Sequence, residues 1–151
     1  MNELRGLWRG KRICSNEHNG EWVEGFLCPM RYSGFNVCGG IDYYIMANLI
    51  GTGNQQIRVD SSTLGECTGL RDEKGKPIFE GDICTVATAN IADDEYGVIK
   101  YDCNEAVFVV DFCTYTINFC DNIYISAVEV IGNIQDSPEL LGRECDDNAR
   151  D

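Results

Sequence analysis

One histidine and nine cysteines are the residues of this 151-residue chain best suited to nucleophilic or metal chemistry. His18 lies in Ser15-Asn-Glu-His-Asn-Gly20, a polar loop sequence. A catalytic imidazole needs a nucleophile within hydrogen-bond reach and a third group to orient it, and the local sequence marks no such set. His18 therefore reads as a loop histidine, and no residue is assigned a catalytic role. Cys14-x3-His18 has a spacing that would put two ligands on one zinc ion, with Cys28 and Cys38 to complete a tetrahedron. Against that, the chain has no Cys-x2-Cys knuckle. Several of the other cysteines fall at apolar strand positions, where the thiol packs as a small hydrophobe. Cys84 follows Ile83 in an apolar run, and Cys113 alternates with Tyr115, Ile117 and Phe119. The expectation is no metal, no cofactor and mostly reduced thiols.

Charge supplies a different kind of chemistry. The net charge is −13 and its distribution is uneven. Residues 1–40 hold five Lys/Arg against four Asp/Glu, whereas residues 81–151 hold three against fifteen. A polyanion of this kind repels phosphate backbones, which argues against direct binding of nucleic acid. Asp93-Asp94-Glu95 is the densest acidic run. It lacks the alternating oxygen ligands and later Glu of a calcium loop. Together with Asp102 and Glu105 it marks the candidate partner-binding surface, set on loops at the two ends of one strand. The local positive cluster is Arg9, Lys11 and Arg12, the alternative site for an anionic ligand. Gly39-Gly40 and Gly51-x-Gly53 lack the Lys-Ser/Thr that completes a phosphate-binding loop. The aromatic set Trp8, Trp22, Phe26, Tyr43 and Tyr44 reads as strand core.

The elements that must position these residues are short strands. Ile83–Ala89, Tyr96–Tyr101, Ala106–Phe112, Thr114–Cys120 and Val128–Ile134 recur about every ten residues with turn signals between them. The N-terminal half offers Leu4–Arg9, Trp22–Cys28 and Tyr43–Ile50, separated by glycine-bearing loops. No segment sustains the three-to-four-residue apolar period of a long helix. Ser137 and Pro138 fit the cap and first position of one helical turn through Leu141. The fold class is all-β, with a small SH3-like barrel in the C-terminal half packed with a β-rich N-terminal half. The expected organisation is one folded unit over 1–141, comprising parts 1–65 and 66–141, with a disordered acidic tail at 142–151. No run reaches the ~18 apolar residues of a membrane span, and Met1-Asn-Glu-Leu-Arg-Gly-Leu-Trp8 lacks the apolar core of a secretory signal. A cytoplasmic location follows as an expectation.

Two turn-rich motifs carry more identity than any of these. Cys67-Thr-Gly-Leu-Arg-Asp-Glu-Lys-Gly-Lys-Pro-Ile-Phe-Glu-Gly-Asp-Ile-Cys84 places Asp72 and Gly75 in a turn, fixes φ at Pro77 and bends again at Gly81-Asp82 before a strand. Val130-Ile-Gly-Asn-Ile-Gln-Asp-Ser-Pro-Glu-Leu-Leu141 stands at the far end. With Trp8-Arg-Gly-Lys-Arg12 and Asn19-Gly-Glu-Trp-Val-Glu-Gly-Phe26, the pattern resembles the YopX family of phage and prophage proteins over roughly residues 5–141. Cys14–His18 reads as an insertion between the two N-terminal motifs. The resemblance implies a phage or prophage context and carries no reaction with it; the expectation is a non-enzymatic accessory protein that works by binding in the host cytoplasm. Taken with the acidic C-terminal half, it suggests inhibition of a host defence nuclease, such as a CRISPR effector, through that protein's basic groove. The alternatives are a small-molecule binder that sequesters a nucleotide signal at Arg9, Lys11 and Arg12, and a structural or regulatory homo-oligomer.

Overall fold

Strands account for nearly all the regular structure. The computed structural model describes residues 3–34, 37–87, 91, 95–119 and 127–142. They form eleven strands and two short 3₁₀ turns, with no α-helix among the described residues. The chain divides into two compact units, Met1–Gly69 and Leu70–Asp151.

The first unit is built on β1 (Leu7–Lys11), β2 (Trp22–Gly34), β3 (Val37–Leu49), β4 (Gly53–Val59) and β5 (Gly65–Arg71), which crosses the division. These strands lie in the order β4-β3-β2-β1-β5, all antiparallel where register is defined. β6 (Pro77–Phe79) follows β5 in the sheet order. Register assigns the faces. Val23, Ile45, Ala47, Ile57 and Val59 form a buried cluster, with Trp8, Leu27 and Tyr43 packed against it. Residues one position along point the other way. The five aromatics read as one core are therefore split by the period of the strand. Trp8 and Tyr43 join the core, whereas Phe26 is 61% exposed on the opposite face. β2 and β3 approach so closely at Gly25 that a Cβ there would sit 2.1 Å from the Met46 carbonyl oxygen. Beyond β1, Arg12 bridges Val59 and the Ile13 amide donates to the Arg58 carbonyl at 2.9 Å, tying the outer strand β4 to the chain after β1.

The second unit carries the sheet β10-β9-β8-β7-β11, from β7 (Asp82–Val86), β8 (Gly97–Asp102), β9 (Val107–Asp111), β10 (Thr116–Asn118) and β11 (Val128–Asn133). Its core gathers Ile78, Cys84, Val86, Ile99, Val110, Phe112, Val128 and Val130. Burying side chains of this size contributes roughly 1.5–3 kcal/mol each. The all-β expectation holds, and closure of the C-terminal sheet into a barrel is not confirmed: among the described residues the sheet is not closed, with β10 and β11 at its edges. The strand expected over Thr114–Cys120 is shortened because Cys113 and Thr114 occupy a tight turn, the Phe112 amide donating to the Tyr115 carbonyl at 3.0 Å.

Candidate functional site

The first turn-rich motif is a stitching device. Asp72 is 6% exposed, and its Oδ1 accepts from the amides of Lys74 and Lys76 at 2.9 and 2.8 Å. Its Oδ2 accepts from the Val130 amide at 3.2 Å, and the Glu73 amide donates to the Val128 carbonyl at 3.0 Å. The turn after β5 is thereby fastened to β11. Burial pushes the Asp72 carboxyl up, but the donors from Lys76, Val130 and Lys74 outweigh it and hold the group below the usual carboxylate value. Asp82, fully buried, accepts from the Phe79 amide at 2.8 Å and forms the second bend of the same motif.

The second motif builds a wall. After β11, the Ile134 amide donates to the Gly81 carbonyl, and the chain turns through the 3₁₀ segment Pro138–Leu141. Ser137 stands at the cap position as expected but makes no side-chain capping bond. Its side chain instead packs over Gly132 beside Leu140; a Cβ on Gly132 would lie 2.9 Å from Leu140 Cδ1. Between this wall and strands β8 and β9 lies a cleft of about 460 Å³. Tyr96, Val98, Phe112, Ile134, Leu140 and Leu141 give it an apolar lining, and Glu95, Lys100 and Asp111 supply charge. By strand alternation Val98 and Lys100 lie on the face away from Ile99, and Asp111 on the face away from Val110.

The charged groups of the cleft are fixed by one another. Lys100 Nζ pairs with Asp111 Oδ2 at 2.5 Å, and the Cys113 amide donates to Asp111 Oδ1 at 2.9 Å. Burial raises the Asp111 carboxyl, and the bonds from Lys100 and Cys113 more than offset it, leaving the pKa lowered. The Tyr115 hydroxyl donates to Glu95 Oε2 at 2.9 Å, and its ring stacks on Phe112 with centroids 5.0 Å apart. Burial, followed by the bond to Glu95 and that carboxylate's charge, raises the phenol pKa. Cys113 departs from the strand-core expectation. It is exposed, has φ +69° and is disulfide-bonded, because it occupies the turn and not the strand.

The residues singled out from sequence are dispersed. Asp93 and Asp94 lie outside the described residues. Glu95 precedes β8, while Asp102 and Glu105 follow at its other end, about 20 Å away for a six-residue strand. Asp102 Oδ1 accepts from the amides of Asn104 and Glu105, and Glu105 accepts from Asn118 Nδ2 at 3.1 Å. In the first unit, the Arg9 guanidinium and Lys11 ammonium lie 4.8 and 5.3 Å from the Trp22 ring centroid, so the aromatic face holds both cations. Arg12, by contrast, sits in the bridge to Val59. Cys14 donates to Asn16 Oδ1, and His18 Nδ1 lies 2.9 Å from Glu21 Oε1. No group of three or more potential metal ligands gathers among the described residues. Sequence reasoning did not find the cleft. Its signal was Leu140-Leu141, two adjacent leucines in a four-residue turn with no periodic core partners.

Both turn-rich motifs fall within the part of the chain matched by the family model described as YopX protein, residues 33–142. The chain belongs to the YopX family. The matched span takes in the last two residues of β2 and everything from β3 to the cleft wall, whereas Trp8–Arg12 and Asn19–Phe26 precede it. The stitched turn at Asp72 and the wall at Ile134–Leu141 thus lie within the YopX-matched span, and membership makes this a phage- or prophage-type protein. A search of the curated proteins finds no match. No helix among the described residues is long and apolar enough to cross a membrane.

Proposed function

We propose that this YopX protein is a non-enzymatic phage accessory protein that binds a host protein in the cytoplasm and opposes host defence. In this reading its acidic C-terminal half occupies the basic groove of a nucleic-acid-binding nuclease, such as a CRISPR effector. One observation carries it. Between residues 81 and 142 the sole Lys or Arg is Lys100, and Asp111 already engages it. Glu95, Asp102, Glu105 and Glu139 therefore have no cation in their own stretch of chain to neutralise them. Charge of one sign over a rigid sheet steers association with a basic partner and supports specificity for it.

The reading is tested by adding the protein to a purified RNA-guided nuclease before or after its target DNA. Cleavage should fall when the protein is added first and be spared when DNA is already bound. Inhibition should also weaken as salt rises from 50 to 300 mM through screening. Inhibition independent of both order and salt would count against a groove mechanism. The anionic-ligand reading at Arg9, Lys11 and Arg12 has less support, because Arg9 is buried against Trp22 and the net charge of −13 opposes the approach of an anion.

A further inference from the structure

We infer that the cleft between β8, β9 and the Pro138–Leu141 turn is a docking site for a short segment of a protein partner, one that presents an apolar side chain flanked by Lys or Arg. The inference deepens the reading above and rests on it for the kind of partner. The volume, about 460 Å³, lies within the range of pockets that enclose a ligand-sized group. Its apolar floor comes from Val98, Phe112 and Leu140, and Tyr96 at its edge is 38% exposed.

Charge selects the occupant. Lys100 and Asp111 cancel within the cleft, which leaves Glu95 as the uncompensated group among the described lining residues. The Tyr115 hydroxyl fixes one oxygen of Glu95. That bond holds the carboxylate in place without neutralising it, since a phenol contributes a dipole and no positive charge. An acidic or phosphorylated segment would meet Glu95 unpaired, whereas a Lys or Arg beside the buried apolar group would pair with it. The walls are held in shape. The Cys113 amide is tied to Asp111, the Phe112 amide to the Tyr115 carbonyl, and Leu140 packs on Gly132. A preformed cleft of this kind loses little freedom when it is filled.

The test uses the full chain, labelled with ¹⁵N, and the probe acetyl-Arg-Leu-Arg-amide. Titration should move the amides of Tyr96–Lys100, Phe112–Thr114, Ile134 and Leu140–Gly142 saturably. At 50 mM salt, binding should be at least tenfold tighter than that of acetyl-Glu-Leu-Glu-amide. Glu95→Gln should remove most of that preference while retaining the leucine-dependent shifts. Leu140→Asp, if its spectrum remains folded, should abolish binding. The variant Glu24→Gln, at an exposed position of β2 that does not line the cleft, should bind the probe as the native chain does. Equal binding of the acidic and basic peptides would overturn the inference, as would shifts scattered beyond the cleft. So would argininamide alone matching the tripeptide, since the site would then read a lone cation. If the tripeptide binds in the cleft while the nuclease is not inhibited, the failure belongs to the groove mechanism and not to the cleft.

Discussion

At the scale of single residues, two buried groups define what the fold requires. Asp72 gives up bulk water and receives three backbone N–H donors in exchange. Asp72→Ala would strand those donors in a buried turn, and the expected loss is about 2–4 kcal/mol of unfolding free energy, measured by urea denaturation. The sign of the pH effect follows from its lowered pKa. Its contribution is complete above the unfolded value of about 3.9 and is lost as pH falls through the depressed folded value. Native protein should therefore lose stability below about pH 4, and Asp72→Asn should flatten that acid limb; an unchanged limb would remove Asp72 from this role. Cys84 is the second group. Burial, with a further contribution from Asp82, pushes its thiol to about 12. In native protein it should resist alkylation while exposed Cys103 reacts, and mass mapping of iodoacetamide adducts before and after unfolding checks both. Because the folded pKa is raised, the Cys84 contribution to stability is full below the unfolded value near 8.5 and declines as pH rises above it.

At the scale of elements, close approach decides where substitution is tolerated. Gly25→Ala would drive a methyl into the Met46 carbonyl, which is backbone and cannot swing aside. The expected cost is roughly 2–4 kcal/mol, visible as a lowered melting temperature. Gly20→Ala, where no atom lies within 4 Å of the new Cβ, should pay only for its positive φ. The same pairing explains what the sequence did and did not disclose. β7, β8, β9 and β11 were legible because β-branched runs alternate between turn residues. β4 was not, because Asn54-Gln55-Gln56 has little strand preference and becomes a strand only by pairing residue for residue with β3. Cys113 was misplaced because period two continues on paper through Tyr115 and Ile117, while the chain turns at a positive φ. The cleft was illegible for a related reason. Tyr96, Phe112 and Leu140 lie far apart in sequence; the β8–β9 register brings the first two together, and the turn over Gly132 carries Leu140 to them.

At the scale of the whole molecule, the imbalance of three Lys/Arg against fifteen Asp/Glu in residues 81–151 is the feature the proposed basic partner would meet first. Part of that charge is committed to structure: Asp82 is buried, Asp111 pairs with Lys100, and Glu129 pairs with Lys74. Of the described acids beside β8, Glu95 accepts from Tyr115, Glu105 accepts from Asn118 and Asp102 holds its turn; in the proposed reading their charge faces the partner. Reversing Asp102 should therefore cost about 1 kcal/mol, more than an ordinary surface change. The most direct test of the acidic-groove account is the combined variant Asp93→Lys, Asp94→Lys, Glu95→Lys, Asp102→Lys and Glu105→Lys, assayed in cells that carry an RNA-guided nuclease and are challenged with a phage it targets. Circular dichroism and melting should first show the variant folded. The account predicts that the native chain rescues phage plaques by two or more orders of magnitude and that the folded variant rescues none. Equal rescue by both would contradict it.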